Sequence, residues 1–423
     1  MTTPRIHTLS NGVRVICDPM PGLETLALSV VAGRGAASED LHRSGWSHLL
    51  EHMVFKGAGS RSAREIVETV ESAGGQVNAA TGYERTSFQI RALKGGLPLG
   101  MEILSDLVLR PTLDARDLAK EKSVVAQEIA EAADTPDDLV FELAQAGAYP
   151  GQPHGRPILG TPKSLKPADV AAMDAWRAAL YAPDRLVVSA AGAVDEAELL
   201  RLAEAAFGDQ PAGQGAPTPE APVFAQGRAA KLRRLEQAHL VLLLPAFGAM
   251  DDDYFALRLF VEMLGGGMSS RLFQEARENR GLAYAIDAWS DTYAGAGMLG
   301  VYAGCAAKDA GPLAALSAQQ IIALTEGCAD AELARAKAQL KAHLFMAREQ
   351  PLSRTETAAG QALLFDRLFS AAELAEAIDA VTRADIARVG ARLMQSNLSA
   401  GAVLGSNASL RAVEDFAGAL RMG

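Results

Sequence analysis

The sequence predicts an α+β fold, sandwich-like in its layering. Two homologous α/β halves from an internal duplication are expected, each with a mixed sheet covered by helices. Three observations lead there. Apolar runs of strand length alternate with amphipathic stretches of helical period in both halves of the chain. A Pro/Gly-rich stretch, GDQPAGQGAPTPEAPVFAQG (208–227), has the chemistry of a linker and separates residues 1–207 from 228–423. EHMVFKGAGSRS (51–62) laid over VEMLGGGMSSRL (261–272) pairs Met53, Gly57, Ser60 and Arg61 with Met263, Gly267, Ser270 and Arg271.

In the first half LALSVVAG (26–33) reads as a buried strand. SGWSHLLEHMVFKG (44–57) reads as a helix entered at Ser44 and closed near Gly57. SAREIVETVESAGG (62–75) is an amphipathic helix stopped by a glycine pair. QVNAATGYERTSFQIRAL (76–93) gives two strands around a turn at Gly82. Helices follow around 98–108, 114–132 and 137–148, then an α/β segment over 167–207 with a strand at 185–194. The second half repeats the plan. HLVLLLPAF (239–247) is a strand, and DDYFALRLFVEMLGGG (252–267) a helix running into a glycine-rich bend.

Composition narrows the function. Hydrophobic residues make up 49% and charged residues 22%, which is globular rather than disordered. Lys plus Arg is 40 against Asp plus Glu 51, a net charge of −11, so a nucleic-acid partner is not expected. Basic peptides are compatible with that charge. Cys17, Cys305 and Cys328 are too few and scattered for a disulfide framework or a cysteine zinc site. No signal peptide, transit peptide or membrane-length apolar run is visible, and a bacterial-type cytoplasmic location is expected.

The sharpest motif is His48-Leu49-Leu50-Glu51-His52. Residues four apart on a helix share a face, so two imidazoles can reach one metal while Glu51 projects beside them. In the overlay His48 falls on Arg258 and His52 on Glu262, which confines the chemistry to the first half. Zinc wants a third protein ligand. His7, His42, His154, His239 and His343 sit in no partner pattern, so a carboxylate is the better candidate. Glu121 and Glu128, seven apart on one helix face, offer a ligand and a carboxylate that orients a ligating histidine. The plain alternative is two surface glutamates on a Glu-rich helix.

GWSHLLEHMVFKG with KEKSVVAQEI downstream resembles the pitrilysin/insulysin family of zinc metallopeptidases, in the two-repeat form of the mitochondrial processing peptidase subunits. NAATGYERTSF (78–88), GRPILGTPKSL (155–165) and LGGGMSSRLFQEARENRGLAY (264–284) resemble further family motifs, in order, across about residues 9–285. The resemblance implies one zinc ion per chain on His48, His52 and Glu128, with Glu51 as general base and Glu121 supporting the site. It implies that Asn78, Ala79 and Ala80 belong to an edge strand that binds an extended peptide by backbone pairing. Arg277 and Tyr284 match the pair that reaches the scissile carbonyl from another domain. Trp46 and Ser47 depart from the family, which places a small or aliphatic residue and Ala there.

The expected activity is zinc-dependent endoproteolysis of extended peptides in a closed chamber. With both the zinc half and the Arg/Tyr half in one chain, a homodimer with shared sites is the simplest assembly. The rivals are a non-catalytic scaffold of the same fold and the catalytic half of a heterodimer. Gly33-Arg34-Gly35 reads as a strand-exit turn, Gly265–Gly267 as a flexible bend, His154 as a structural or rim residue, and Lys231-Leu-Arg-Arg as a solvated strand edge.

Overall fold

The computed structural model describes residues 4–213 and 215–421. The chain forms two compact units, and each contains a mixed sheet with helices on both faces.

Unit 1 takes the chain up to Ile129, then Pro157–Pro219 and Phe345–Ser370. Its main strands are β1 (Ile6–Thr8), β2 (Arg14–Pro19), β3 (Thr25–Ala32), β6 (Gln76–Thr81), β7 (Thr86–Leu93) and β8 (Leu186–Gly192). A two-residue hairpin, β4 (Gly57–Ala58) with β5 (Arg61–Ser62), follows the zinc-motif helix. The sheet order is β1-β2-β8-β3-β7-β6, with only β2 and β8 parallel. Its helices include α1 (Trp46–Val54), α2 (Ala63–Ser72), α3 (Leu97–Leu109), most of α4 (Ala115–Asp134), α6 (Pro162–Leu165), α7 (Val170–Leu180) and α8 (Glu196–Phe207).

Unit 2 takes Ala130–Arg156, Glu220–Leu344 and the chain from Ala371 onward. It begins with α5 (Pro136–Ala148). Its strands are β9 (Gly227–Leu232), β10 (Ala238–Ala246), β11 (Ala283–Thr292), β12 (Gly297–Cys305) and β13 (Ala400–Gly405). The order β11-β12-β10-β13-β9, with only β13 and β9 parallel, repeats β6-β7-β3-β8-β2 strand for strand. This shared winding carries the duplication that four matched residues suggested. Among the described residues no helix is long and apolar enough to cross a membrane.

The units are not the contiguous halves 1–207 and 228–423. Every residue of β8 and of β13 is buried, so each sheet needs cover on both faces. In unit 2 the second face is covered by α5, which comes from before the linker and buries Leu139, Val140, Ala144 and Ala148. In unit 1 it is covered by the helix Pro351–Phe365, which comes from after the linker and packs on β2, β3 and β8. Ala358, Ala359 and Ala362 of that helix meet Ile16, Val31 and Val187. Arg354 pairs with buried Asp18 at 3.0 Å, and Thr355 hydrogen-bonds Ser29 at 2.7 Å. The 208–226 stretch forms no helix or strand among its described residues, and the predicted linker's last residue, Gly227, already opens β9.

α1 starts two residues later than predicted. Gly45, at φ 89°, is the residue before its first turn, and Ser44 does not cap it. The cap is Glu39, whose buried carboxylate accepts from the Gly45 N–H at 2.8 Å and the Ser47 N–H at 2.7 Å. Glycine is required at 45 because a Cβ there would sit 2.5 Å from the Leu159 carbonyl oxygen. Gly160, at φ 72°, approaches from the other side, where a Cβ would meet the Ser44 carbonyl oxygen at 2.3 Å. The 155–165 loop therefore props the start of α1. Trp46 and Ser47 belong to the same junction. The Trp46 indole N–H donates to the Ser164 carbonyl at 2.9 Å, and the Trp176 indole N–H to the Ser47 hydroxyl at 3.3 Å.

Two stability outcomes follow from these contacts. Glu39→Ala leaves two amide donors of α1 without their acceptor and should cost about 2 kcal/mol in urea unfolding; an unchanged midpoint would remove Glu39 from this role. Arg354→Met strands Asp18 as a buried charge and should cost roughly 3–5 kcal/mol, whereas Asp18→Leu combined with Arg354→Met should recover most of the loss.

Candidate metal centre

The i, i+4 spacing of His48 and His52 places both imidazoles on one side of α1, with ring centroids 4.7 Å apart. Leu49, Leu50 and Met53 on the other side are buried in the unit 1 core. That burial fixes the helix rotation and aims the histidines away from the core. α4 crosses nearby with Val125 buried, and this anchors the face that carries Glu121 and Glu128.

Glu128 Oε2 lies 3.6 Å from His52 Nε2 and 4.0 Å from His48 Nε2. These separations are too long for hydrogen bonds. A tetrahedral zinc with bonds of ~2.0–2.1 Å puts neighbouring ligand atoms roughly 3.4 Å apart, so the three atoms are close to a ligand set. Among the described residues this is the one group of three His, Cys, Asp or Glu side chains whose ligand atoms all fall within 4.8 Å of one another. The α9 helix of unit 2 (Tyr254–Gly265) carries Arg258 and Glu262 at the equivalent positions.

The electrostatics suit a metal. Burial, and then the neighbouring His52, push the His48 pKa down to about 4, so its imidazole is neutral at pH 7 and keeps a lone pair for a ligand. Its Nδ1 is buried without a hydrogen-bond partner. His52 is oriented through its other nitrogen, with Nδ1 3.1 Å from Glu121 Oε2. Glu121 is buried and its second oxygen pairs with Lys56 Nζ at 2.9 Å. The residues present therefore fit a metal of the zinc type, with two imidazole ligands and one carboxylate.

Glu51 projects from the same helix, between the two histidines in sequence. Burial raises its pKa, opposed by a hydrogen bond donated from the Thr81 hydroxyl to Oε2 at 2.5 Å. Thr81 ends β6, the strand at the edge of the unit 1 sheet. Asn78, Ala79 and Ala80 lie along this edge, as expected for pairing with an added strand. Asn78 and Ala80 are exposed, while Ala79 packs against the core.

Arg277 and Tyr284 are in unit 2. Arg277 sits on the π-helical turn Phe273–Asn279, with its guanidinium 4.8 Å from the Phe273 ring centroid. Tyr284 is at the start of β11 and 62% exposed.

Three contributors carried no role in the sequence reading: Thr81, Lys56 and Glu39. Thr81 had a signal, the alternation Val77, Ala79, Thr81 that puts it on the inner face of β6. Lys56 follows His52 by four residues, but its contact with Glu121 lies across 65 residues of chain. The weaker motifs are structural. Arg34 pairs with Asp184 at 2.7 Å at the exit of β3. Gly265 lets α9 close on the Ala288 backbone. His154 is buried, its ring 4.5 Å from that of Tyr293. Lys231 and Leu232 lie on exposed β9, the edge of the unit 2 sheet.

Comparison with known proteins agrees with this geometry. Residues 14–162 match the family model described as Insulinase (Peptidase family M16), and residues 168–340 match the Peptidase M16 inactive domain. The chain is 33% identical to the uncharacterized zinc protease YmxG of Bacillus subtilis (strain 168), over 89% of this chain and 92% of that one. Its fold is that of a protease from Helicobacter pylori, with a TM-score of 0.88 and 20% identity over 95% of this chain and 99% of that one. A peptidase M16 inactive domain from Pseudomonas fluorescens has a TM-score of 0.89 and 19% identity over 96% and 99%. With family models matched over residues 14–162 and 168–340 and a 33% identical relative aligned over 89% of the chain, this protein belongs to peptidase family M16, the insulinase family.

Proposed function

We propose that this chain is a zinc metalloendopeptidase that cuts extended peptides. The observation that carries the reading is Glu51, set on the same helix as both histidines and hydrogen-bonded to the last residue of an open edge strand. A zinc ion held by His48, His52 and Glu128 would supply acidity to a water molecule and polarise a peptide carbonyl. Glu51 accepts the proton of the attacking water and returns it to the departing amine. Its raised pKa favours holding that proton between the two steps. Thr81 fixes the reacting oxygen of Glu51 relative to β6, so a peptide paired with Asn78, Ala79 and Ala80 arrives in register with the base. Backbone pairing selects unfolded or flexible segments, and the charge of −11 favours basic ones. Three buried, unpaired cysteines accord with a reducing compartment such as the bacterial cytoplasm.

Arg277 and Tyr284 complete the reading as donors to the developing oxyanion, each worth ~2.7–4 kcal/mol in comparable sites. We assign them to the active site of a second copy of this chain, which makes the working assembly a homodimer with two shared sites.

Purified protein should hold about one zinc per chain and lose peptidase activity to chelators. His48→Ala, His52→Ala and Glu128→Ala should each lower zinc content, and Glu121→Ala should do so more mildly. Glu51→Gln should keep the metal and abolish cleavage. Cleavage at the wild-type rate by that variant would remove Glu51 as the base, and no cleavage by the wild type across broad peptide pools would favour a scaffold.

The shared site is tested by mixing two inactive variants, Glu51→Gln and Tyr284→Phe. In the mixed dimer one site collects both defects and the other is whole, so activity should return. No recovery despite demonstrated subunit exchange would place each Tyr284 in the service of its own chain.

A further inference from the structure

At the end of β6 opposite Thr81 the sheet edge opens into two adjoining clefts, of about 400 and 470 Å³. Both are bordered by Gln76, Arg91 and Leu352. The larger continues to Gly75, Leu93 and Gln350, and Arg91 is the only charged residue on its wall. Glu71 borders the smaller one. Arg91 lies across from Gln76 in the β6–β7 register, and its guanidinium donates to the Gln76 side-chain oxygen at 2.7 Å. Among the described residues it has no carboxylate partner. A fork of N–H donors with one neutral acceptor, on the wall of the larger cleft where no other charge stands, is a receptor for a carboxylate.

The register of the edge strand says which carboxylate. β6 pairs antiparallel with β7, and β7 with β3, so an added strand that continues this pattern runs antiparallel to β6. Its residue opposite Thr81 lies beside Glu51, and its chain then runs toward Gln76. Five residues of extended chain span about 17 Å. The group that arrives at Arg91 therefore lies about five residues to the C-terminal side of the scissile bond. A parallel strand would bring its N-terminal side there, and an amino terminus would meet the guanidinium as a like charge.

We propose that Arg91 and the cleft beside it bind the carboxylate at the C-terminus of an extended peptide and so measure the distance from chain end to scissile bond. This deepens the peptidase reading and rests on it for the direction of the substrate. Arg91 is here a specificity-determining residue, remote from the reacting atoms.

The test uses full-length protein carrying Glu51→Gln, so that peptides bind without turnover. Fluorescence anisotropy follows labelled peptides in three forms: a free C-terminal acid, the C-terminal amide, and an amide with Glu at the terminal position. Amidation should weaken binding roughly three- to tenfold. Arg91→Gln should abolish that difference while leaving the amide's affinity unchanged, and Arg91→Lys should retain part of it. Restored affinity in the Glu-bearing amide would assign the site to a side-chain carboxylate and overturn the chain-end assignment. In the wild-type enzyme, cleavage of a tail-length series should favour bonds about five residues from a free C-terminus. Equal binding of acid and amide, or the same amidation penalty in Arg91→Gln, overturns the proposal. If peptides bind with the Arg91-dependent preference but are never cut by the wild type, the peptidase reading fails and the site stands. If they are cut without regard to the tail, the site fails and the peptidase stands.

Discussion

The nine-residue helix α1 has to be held still at both its depth and its rotation, because it carries two imidazoles and a carboxylate that the proposed chemistry needs in one place. A helix this short has little stability of its own. Its rotation is set by Leu49, Leu50 and Met53 in the core, and its start by Glu39 and the Gly45–Gly160 crossing. Removal of the side chain at 45 and 160 allows two backbones to meet at a distance no other residue permits. The candidate metal centre thus depends on how one helix end is buttressed.

A second constraint concerns the sheets. Fully buried central strands demand two covering layers, and each half of the sequence supplies its own sheet with only one. The other layer is α5 for unit 2 and the Pro351–Phe365 helix for unit 1. The exchange also continues α4 without a break across the boundary at Ile129, directly after Glu128. Glu128 therefore stands on a twenty-residue helix whose buried residues are Leu118, Glu121 and Val125.

The polar groups of the site are arranged so that each has one duty. Burial keeps His48 neutral, Glu121 turns the His52 ring, Lys56 compensates Glu121, and Thr81 holds Glu51. That leaves Glu128 and the two Nε2 atoms facing a common point. The i, i+4 spacing brings the two rings to 4.7 Å, and a charge on His48 there is disfavoured by burial and by the neighbouring His52.

What the sequence determined by itself was whatever depends on local spacing. The i, i+4 histidines, the glycine stops and the strand-length apolar runs carry their meaning within a few residues, so α1, α2, β3, β6 and β7 were legible to within three residues. The seven-residue spacing of Glu121 and Glu128 marked them as a pair, and their division into histidine support and metal ligand came from family resemblance. Only the tertiary structure decided the rest. Ser44 looked like the cap of α1, yet the capping carboxylate is Glu39, because Gly45 turns the chain and excludes the local hydroxyl. The contiguous halves looked like the folding units, yet two helices change places, because burial of a sheet's second face is a demand that no local pattern announces. Thr81 and Lys56 acquire roles through contacts 30 and 65 residues away in sequence. Local period is written in the chain, whereas the partner across a packed interface is chosen by the geometry of the whole unit.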